Sequence, residues 1–342
     1  GAVQRSKGAH QPVGGVGCVQ PWNLQVTMIT RKLAPARAAG CTVVLKPAEA
    51  TPLCAIKVFE ILAEAGLPDG VINLVTARDP APVGAEFVTN PKVRKLTFTG
   101  STAVGRMLAG QAAANMKRVS CELGGHAPFL VFDDADPVHA AKGLQLVKFL
   151  NSGQACISPN RIFVHASIID EFVDTLASRV ARMKAGDGFE DGVTIGPLVD
   201  ARAVDKVANQ VADAVSKGAE IVCGGTRLTE GGLDAGCFFA PTILRGVTPE
   251  MAIYREETFG PVAPIIAFED DGEALRMAND THYGLAAYVY TRDIGRAMRM
   301  FEGLQFGIIG VNDINPAAAA AHVGGTKVRG VGREPGAEGI ME

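Results

Sequence analysis

Short apolar runs alternate with longer amphipathic segments along this 342-residue chain. In the first third, the runs typical of buried strands are Gly17–Gln20, Thr42–Lys46, Val71–Val75, Lys95–Thr99 and Arg118–Glu122. The segments between them that are typical of helices are Thr27–Ala39, Thr51–Ala65, Ala81–Asn90 and Thr102–Ala114. Strands separated by helices pair in parallel through right-handed crossovers. The pattern therefore predicts a doubly wound α/β sheet.

A second alternating set follows and predicts a second α/β domain. Its strand candidates are Pro128–Phe132, Arg161–His165, Glu220–Cys223, Val262–Phe268, Ala287–Tyr290 and Gly307–Asn312. Its helix candidates are Ile168–Lys184, Ala201–Lys217, Asp271–Asn279 and Arg292–Glu302, with acidic or N-cap starts at Asp200 and Asp271. The run Ala317–Ala321 shows no readable period and is either a loop or a short helix.

Charge and cysteine usage exclude several classes of protein. The net charge is −3, from 33 basic and 36 acidic residues, and no basic cluster marks a nucleic-acid or membrane surface. Apolar stretches are too short to span a membrane. None of the seven cysteines forms a Cys-x-x-Cys pair, so we expect no structural metal and no disulfide framework. With no secretion signal at the N-terminus, a reducing, cytoplasmic location is expected.

Two residues carry candidate chemistry. Cys156 ends the sequence Asn-Ser-Gly-Gln-Ala-Cys, just ahead of a predicted strand, and Glu122 begins Glu-Leu-Gly-Gly after another strand. A thiol nucleophile and a carboxylate that activates water suit acyl-enzyme chemistry. Without further context, the plain alternatives are that Cys156 is a small buried apolar residue and Glu122 a solvated strand end.

Several motifs, in order and spacing, resemble the aldehyde dehydrogenase superfamily from about Gln11 to Glu338. Besides the Cys156 and Glu122 segments, they are Pro21-Trp22-Asn23, Lys46-Pro47-Ala48-Glu49, Phe98-Thr99-Gly100-Ser101-Thr102 and Glu256-Glu257-Thr258-Phe259-Gly260-Pro261. The resemblance implies two doubly wound, Rossmann-like domains: an NAD-binding domain at 1–124 and a catalytic domain at 125–318. A C-terminal return segment at 319–342 would follow.

The resemblance also implies a mechanism. Cys156 would attack the aldehyde carbon to give a thiohemiacetal, and loss of hydride to nicotinamide would leave a thioester. Glu122 would activate the water that hydrolyses the thioester, which favours a free acid over a coenzyme A product. Asn23 and the Cys156 backbone N–H would stabilise the oxyanion. As a plain alternative, Asn23 is a turn residue.

The cofactor motifs differ from the usual dinucleotide fingerprint, since no Gly-x-Gly-x-x-Gly follows the first strand. Instead, Gly100 to Gly105 follows the fourth strand and opens a helix, where N–H groups can meet a phosphate. Glu49 would accept hydrogen bonds from ribose hydroxyls but repel a 2′-phosphate, which favours NAD, with NADP possible. The cofactor-binding residues implied are Pro21, Trp22, Asn23, Lys46, Ala48, Glu49, Gly100, Ser101, Val104, Leu123, Glu257 and Phe259.

Lys32 and Glu334 match a family pair proposed to carry protons away from Glu122. The plain alternative is a surface salt bridge between them. His126 is the histidine nearest the motifs, and we give it no catalytic role because a satisfied loop histidine accounts for it.

Within the family, the chain is most similar to succinate-semialdehyde dehydrogenases, whose substrate carboxylate is held by two arginines and a serine. Arg31 matches the first arginine, Leu150 stands in place of the second, and the serine region is the run Ala317–Ala321. Burying an unpaired carboxylate costs several kcal/mol. A neutral or less polar aldehyde is therefore the expected substrate. Ser158 replaces a second cysteine, so no Cys–Cys switch is expected.

The resemblance further implies that a family segment ahead of Gln11 and a subunit-crossing strand beyond Glu342 lie outside this sequence. Such strands cover sheet edges, and the family forms homo-oligomers. Near the end, Arg329 stands where the family has a small serine. These departures support an alternative function: a catalytically silent or structural truncated relative of the same fold.

Overall fold

The structure is a computed structural model, and it describes residues 6–315, 324–334 and 336–342. These residues divide into two units. Residues 6–122, 331–334 and 336–342 form the first unit, and residues 123–315 and 324–330 form the second. The run Ala317–Ala321 lies outside the described residues, as does the side chain of Arg329. The predicted domain boundaries at 124 and 318 stay predictions.

The first unit is built on a parallel sheet. In chain order its elements are β1 (Gly15–Val19), α1 (Gln25–Ala38), β2 (Thr42–Lys46), α2 (Leu53–Glu64), β3 (Ile72–Leu74), α3 (Ala81–Thr89), β4 (Val93–Thr99), α4 (Thr102–Ala113) and β5 (Arg118–Glu122). The strands lie in the order β5-β4-β1-β2-β3, with every pairing parallel. This order reverses direction at β1, which confirms the doubly wound prediction.

Strand register brings four chain segments to one edge of this sheet. Val19 lies opposite both Lys46 and Phe98, and Thr99 lies opposite Glu122. Because the strands are parallel, the segments that follow them leave from the same carboxyl edge. The predicted Pro-Trp-Asn, Lys-Pro-Ala-Glu, Gly-Ser-Thr and Glu-Leu-Gly-Gly motifs all begin there.

The second unit has a larger sheet. Its elements are β6 (Ala127–Val131), α5 (Pro137–Lys148), β7 (Pro159–His165), α6 (Ile169–Val180), β8 (Lys184–Ala185), β9 (Val193–Ile195), α7 (Ala201–Ser216), β10 (Glu220–Cys223), β11 (Thr242–Arg245), α8 (Ala252–Arg255), β12 (Val262–Phe268), α9 (Asp271–Asn279), β13 (Ala286–Tyr290), α10 (Ile294–Gly303) and β14 (Ile308–Val311). Seven strands lie in the order β10-β11-β12-β7-β6-β13-β14, and only the β10–β11 pairing among them is antiparallel. A second α/β domain is confirmed.

Alternate residues along β6, and Phe132 directly after it, enter different apolar cores. Phe129 and Val131 belong to one buried cluster, and Leu130 and Phe132 to another. Successive side chains of a strand point to opposite faces of the sheet. The sheet therefore has an apolar layer on each face, as parallel sheets covered by helices do.

Some boundaries differ from the sequence predictions. The predicted helix Ile168–Lys184 ends at Val180, where the chain turns into the short strand β8. The carboxylate that caps α9 is Asp270, which accepts the Glu273 N–H at 2.9 Å, so Asp271 is not the cap. The cap of α7 is Asp200, as predicted. Helix α5 and strand β11 were not predicted.

The chain ends with two short elements, β15 (Gly330–Val331) and α11 (Gly336–Met341). Strand β15 adds to the first sheet beside β5. Among the described residues, the helices are all too short or too polar to cross a membrane.

Candidate active site

Glu122, the predicted base, is the last residue of β5 and is buried. Its backbone carbonyl accepts a hydrogen bond from the Gly100 N–H at 3.1 Å. Gly100 leads into α4, whose N-cap residue Ser101 accepts the Val104 N–H at 3.5 Å. The amino terminus of a long helix therefore stands beside Glu122 at the carboxyl edge of the first sheet, where an anion is favoured.

Lys46 and Glu49, the predicted ribose-binding pair, contact each other. The buried Lys46 ammonium donates to the Pro47 carbonyl at 2.9 Å and forms an ion pair with the Glu49 carboxylate. The Glu49 side chain is 38% exposed, so its carboxylate remains accessible. The turn is tied to the preceding motif by the Thr51 hydroxyl, which donates to the Trp22 carbonyl at 3.5 Å.

Lys32 and Glu334, the predicted proton-carrying pair, form an ion pair with a 2.7 Å separation. The Lys32 ammonium also donates to Thr97 Oγ1 at 2.9 Å, and both charged side chains are buried. The salt bridge of the plain alternative is therefore present but buried, not on the surface, and the proton-carrying role stays a prediction. A buried pair loses far more hydration than an exposed one, so it holds together only with good geometry and added hydrogen bonds.

The loop that carries Cys156 has an unusual backbone. Asn151, Ser152 and Gly153 have φ angles of 49°, 58° and 77°, so three successive residues are left-handed. Residues other than glycine pay on the order of 1–2 kcal/mol each for this conformation. Side chains hold the loop in place: Ser152 Oγ donates to the Gly196 carbonyl at 2.8 Å, and Gln154 Oε1 accepts the Val199 N–H at 2.9 Å. Because Cys156 is the predicted nucleophile, we call residues 149–158 the nucleophile loop.

Gly125 lies between the nucleophile loop and Glu257. A Cβ added to Gly125 would stand 2.0 Å from the Cys156 carbonyl oxygen. The Gly125 N–H donates to Glu257 Oε1 at 2.8 Å. A Cβ on the neighbouring Gly124 would stand 2.7 Å from Glu257 Oε2. The two glycines thus allow the backbone to bring Cys156 and Glu257 into one packed cluster.

The segment around Glu257 is held by further contacts. Burial raises the pKa of the Glu257 carboxyl from 4.5 to about 7, although the Gly125 N–H and the Lys206 and Lys148 charges lower it. Lys206 also donates to the Glu257 carbonyl at 2.6 Å. Phe259 has a φ of 53°, which is rare for an aromatic residue and marks a strained turn.

This cluster lies at the amino edge of the second sheet. Gly125 precedes β6, Cys156 precedes β7 and Glu257 precedes β12, and these three strands are neighbours in the sheet. Ligands of open α/β sheets usually bind at the carboxyl edge. The predicted cofactor motifs of the first unit stand at that edge, whereas the Cys156 cluster of the second unit stands at the opposite edge of its sheet.

The predicted substrate residues lie in different units. Arg31 is half-buried and lines a cavity of about 90 Å³ in the first unit, together with Lys32, Arg118 and Arg333. In the second unit, Leu150 begins the turn of the nucleophile loop and is 48% exposed. Its apolar side chain offers no charge to a substrate carboxylate.

His126 is only half satisfied, which corrects the prediction of a satisfied loop histidine. Its Nε2 contacts the Tyr254 carbonyl at 2.8 Å, but Nδ1 is buried without a hydrogen-bond partner among the described residues. Burial, aided by the charge of Arg161, lowers its pKa well below 6.5. His126 is therefore neutral near pH 7.

Sequence reasoning missed three side chains that support this cluster. Tyr288 donates from its hydroxyl to the Ile157 carbonyl at 2.9 Å. Arg161 is fully buried and donates to the His126 carbonyl at 3.2 Å, next to Gly125, and to the Met277 and Ala278 carbonyls at 2.9 and 2.8 Å. Lys148 is also fully buried. Nothing in the sequence separates such buried charges from surface ones. Among the described residues, no group of three or more His, Cys, Asp or Glu side chains is arranged to hold a metal.

The sequence model of the aldehyde dehydrogenase family matches residues 3–342. The chain belongs to the aldehyde dehydrogenase family. The resemblance seen in the motifs is confirmed, and with it membership of a family of oxidoreductases that act on aldehydes.

Proteins similar to this chain are named as dehydrogenases of semialdehydes. The chain is 48% identical over 332 residues to the succinate-semialdehyde dehydrogenase [NADP(+)] GabD of Escherichia coli, covering 97% of this chain and 68% of the relative. It is equally similar, with the same coverage, to a glutarate-semialdehyde dehydrogenase of Pseudomonas aeruginosa. The crystal structure of succinate-semialdehyde dehydrogenase from Burkholderia pseudomallei matches with a TM-score of 0.94 and 47% identity, covering 97% of this chain and 68% of that one. The chain spans about two thirds of the length of these relatives, and the aldehyde dehydrogenase fold is confirmed.

Proposed function

We propose that this chain oxidises an aldehyde to a carboxylic acid with a nicotinamide dinucleotide as the electron acceptor. The observation that carries the proposal is the packing of Cys156 and Glu257 on either side of Gly125, in a member of this family. A thiol nucleophile and a carboxylate suited to a ribose hydroxyl thereby belong to one packed cluster. The alternative of a silent relative is not favoured, because the relatives are named dehydrogenases.

In the proposed reaction, the Cys156 thiolate attacks the aldehyde carbon to form a thiohemiacetal. The Asn23 amide and the Cys156 N–H stabilise the oxyanion of this adduct, and loss of one such donor costs about 100- to 1,000-fold in turnover. A nicotinamide dinucleotide held at α4 and the Lys46–Glu49 pair would supply the acceptor for the hydride that leaves this adduct. Glu122 then takes a proton from water, which adds to the thioester, expels the Cys156 thiolate and releases the acid.

The buried Lys32–Glu334 pair is proposed to move the proton on from Glu122. Thr97 Oγ1 lies within 2.9 Å of the Lys32 ammonium and 3.4 Å of Glu334 Oε1, so the three groups form a continuous polar chain. Burying such a chain of polar groups costs free energy, and the cost is smallest when every member keeps its hydrogen-bond or ion-pair partner.

The residues present fit a nicotinamide dinucleotide. The amino terminus of α4, with Ser101 exposed, suits a phosphate, and the Lys46–Glu49 pair suits ribose hydroxyls. We propose that NAD is preferred over NADP, because the accessible Glu49 carboxylate repels a 2′-phosphate. The E. coli relative is named for NADP(+), so kcat/KM must be measured with both cofactors. Glu49→Gln should raise kcat/KM for NADP relative to NAD.

For the substrate, we propose a neutral or weakly polar aldehyde. Leu150 gives no partner to a distal carboxylate, and its exposed position leaves room for a longer side chain. Leu150→Arg should therefore raise kcat/KM for succinate semialdehyde relative to an uncharged aldehyde of similar length. Equal use of the two aldehydes by the unmodified chain would contradict the proposal.

The test of the function is NADH or NADPH absorbance with acetaldehyde, hexanal, benzaldehyde and succinate semialdehyde. A Cys156→Ala control runs beside it and should abolish turnover. Glu122→Gln should retain a first burst of reduced cofactor but release acid slowly, because the thioester still forms and its hydrolysis becomes slow. A folded protein with no turnover on any aldehyde would overturn the proposal.

A further inference from the structure

Lys148 and Asn160 stand at the two ends of the nucleophile loop. Lys148 is the last residue of α5, and Asn160 is the second residue of β7. The Lys148 ammonium donates to Asn160 Oδ1 at 2.9 Å, and the Ser158 hydroxyl donates to the Lys148 carbonyl at 3.3 Å. All three residues are buried, with 1% or less of their surface exposed. Two hydrogen bonds thus close the base of the loop that presents Cys156.

A lysine at this place is costly for the fold. Burial lowers the pKa of Lys148 from 10.5 to about 7, and the Glu257 charge is the cause that opposes it. Asn160 turns its Oδ1 towards Lys148, and its Nδ2 is then buried without a hydrogen-bond partner among the described residues. An apolar pair of similar size would avoid both penalties. Stability alone therefore does not explain these two residues.

Lys148 is connected to Cys156 in two ways. First, its hydrogen bonds close the base of the nucleophile loop. The second passes through Glu257, whose ionised form is favoured by the nearby ammonium and accepts the Gly125 N–H. Gly125 in turn packs against the Cys156 carbonyl. Lys148 also occupies the last turn of α5, where the helix dipole favours a cation.

We propose that Lys148, held by Asn160, is a positioning residue that fixes the place of the Cys156 thiol. The inference rests on the proposed function only in taking Cys156 as the nucleophile. Because Lys148 is fully buried, we assign its effect to the loop and to Glu257 and not to contact with a ligand. Among the charged and titratable groups, Glu257 attracts the ammonium, whereas the buried His126 is neutral and adds no charge.

The test compares Lys148→Met with Lys142→Met, which replaces an exposed lysine on the same helix. The first readout is the rate at which iodoacetamide alkylates Cys156, followed on the Cys156 peptide by mass spectrometry. It needs no dehydrogenase activity, so it separates this inference from the proposed function. Displacement of a reacting group by about 1 Å costs on the order of 100-fold. Lys148→Met should slow alkylation and the first burst of reduced cofactor by at least about 10-fold, while Lys142→Met leaves both unchanged.

A double-mutant cycle shows whether Asn160 carries the effect. Asn160→Leu should slow alkylation as Lys148→Met does, and the double variant should be no slower than either single variant. Asn160→Asp keeps an acceptor for the ammonium and should retain the unmodified rate within about threefold. These Asn160 variants decide the matter even if Lys148→Met fails to fold. Unmodified alkylation in folded Lys148→Met, or in Asn160→Leu, would overturn the proposal.

Discussion

Replacing Gly125 by alanine should separate Cys156 from the rest of its cluster. The added Cβ would stand 2.0 Å from the Cys156 carbonyl oxygen, whereas ordinary contacts begin at 3.4 Å, so the backbones must part by about 1.4 Å. The oxygen is a backbone atom and cannot rotate away. Either the nucleophile loop moves, or Gly125 moves and its hydrogen bond to Glu257 breaks. Misplacement by about 1 Å costs on the order of 100-fold in rate.

We therefore expect kcat of Gly125→Ala to fall at least about 100-fold, which corresponds to roughly 2.7 kcal/mol of activation free energy. The assay is steady-state appearance of reduced cofactor, with the alkylation rate of Cys156 as a second measurement. Overpacking costs about 1–3 kcal/mol of stability, so urea unfolding must show that the variant is folded at the assay temperature.

Gly188→Ala is the matched control, because nothing lies within 4 Å of its added Cβ and its φ is not positive. It should behave like the unmodified chain in both assays. If Gly125→Ala kept kcat within a few-fold and alkylated normally, the close packing of Gly125 on Cys156 would not set the position of the nucleophile, and the reasoning would be refuted.

Two further predictions concern buried charge. Glu334→Gln leaves the buried Lys32 ammonium without its carboxylate and should lower the free energy of unfolding, measured with urea, by about 3–5 kcal/mol. The control Glu60→Gln removes one member of an exposed pair and should lower it by less than about 1 kcal/mol. Lys148→Met should instead stabilise the fold, because between pH 7 and 10.5 the unfolded chain binds a proton that the folded chain does not. One pKa unit is worth about 1.4 kcal/mol, so the variant's gain in free energy of unfolding should be on the order of several kcal/mol below pH 7 and shrink as pH rises towards 10.5. A gain that does not change with pH would contradict the lowered pKa of Lys148.

Local patterns in the sequence predict most of the fold. The strands β2, β5, β10 and β12 and the helix α9 have the predicted bounds, because each is a clear apolar or amphipathic run between turn residues. Helix α5 was missed although its signals are present: Asp136 caps it and Pro137 occupies its first position. Strand β11 was missed because only four residues separate Pro241 from Gly246.

The arrangement of the site is harder to predict. Cys156 and Glu257 meet only because β12, encoded some hundred residues after β7, inserts beside it in the sheet. Strand order of this kind depends on non-local packing and leaves no periodic signal. Buried charges give no signal either: Lys148 at a helix end reads as an ordinary basic residue of the last turn.

The predicted cofactor motifs lie at the carboxyl edge of the first sheet and Cys156 lies at the amino edge of the second. This difference follows from the chemistry predicted for each. Phosphates bind backbone N–H groups at the start of a helix, and such groups stand at the carboxyl edge of a parallel sheet, as at Ser101. A nucleophile at the amino edge follows the end of a helix instead, where backbone carbonyls disfavour an anion. The position of a predicted nucleophile at that edge therefore depends on how its loop is held. Lys148, in the last turn of α5, closes the base of this loop through Asn160, which is why its replacement should show first in the reactivity of Cys156.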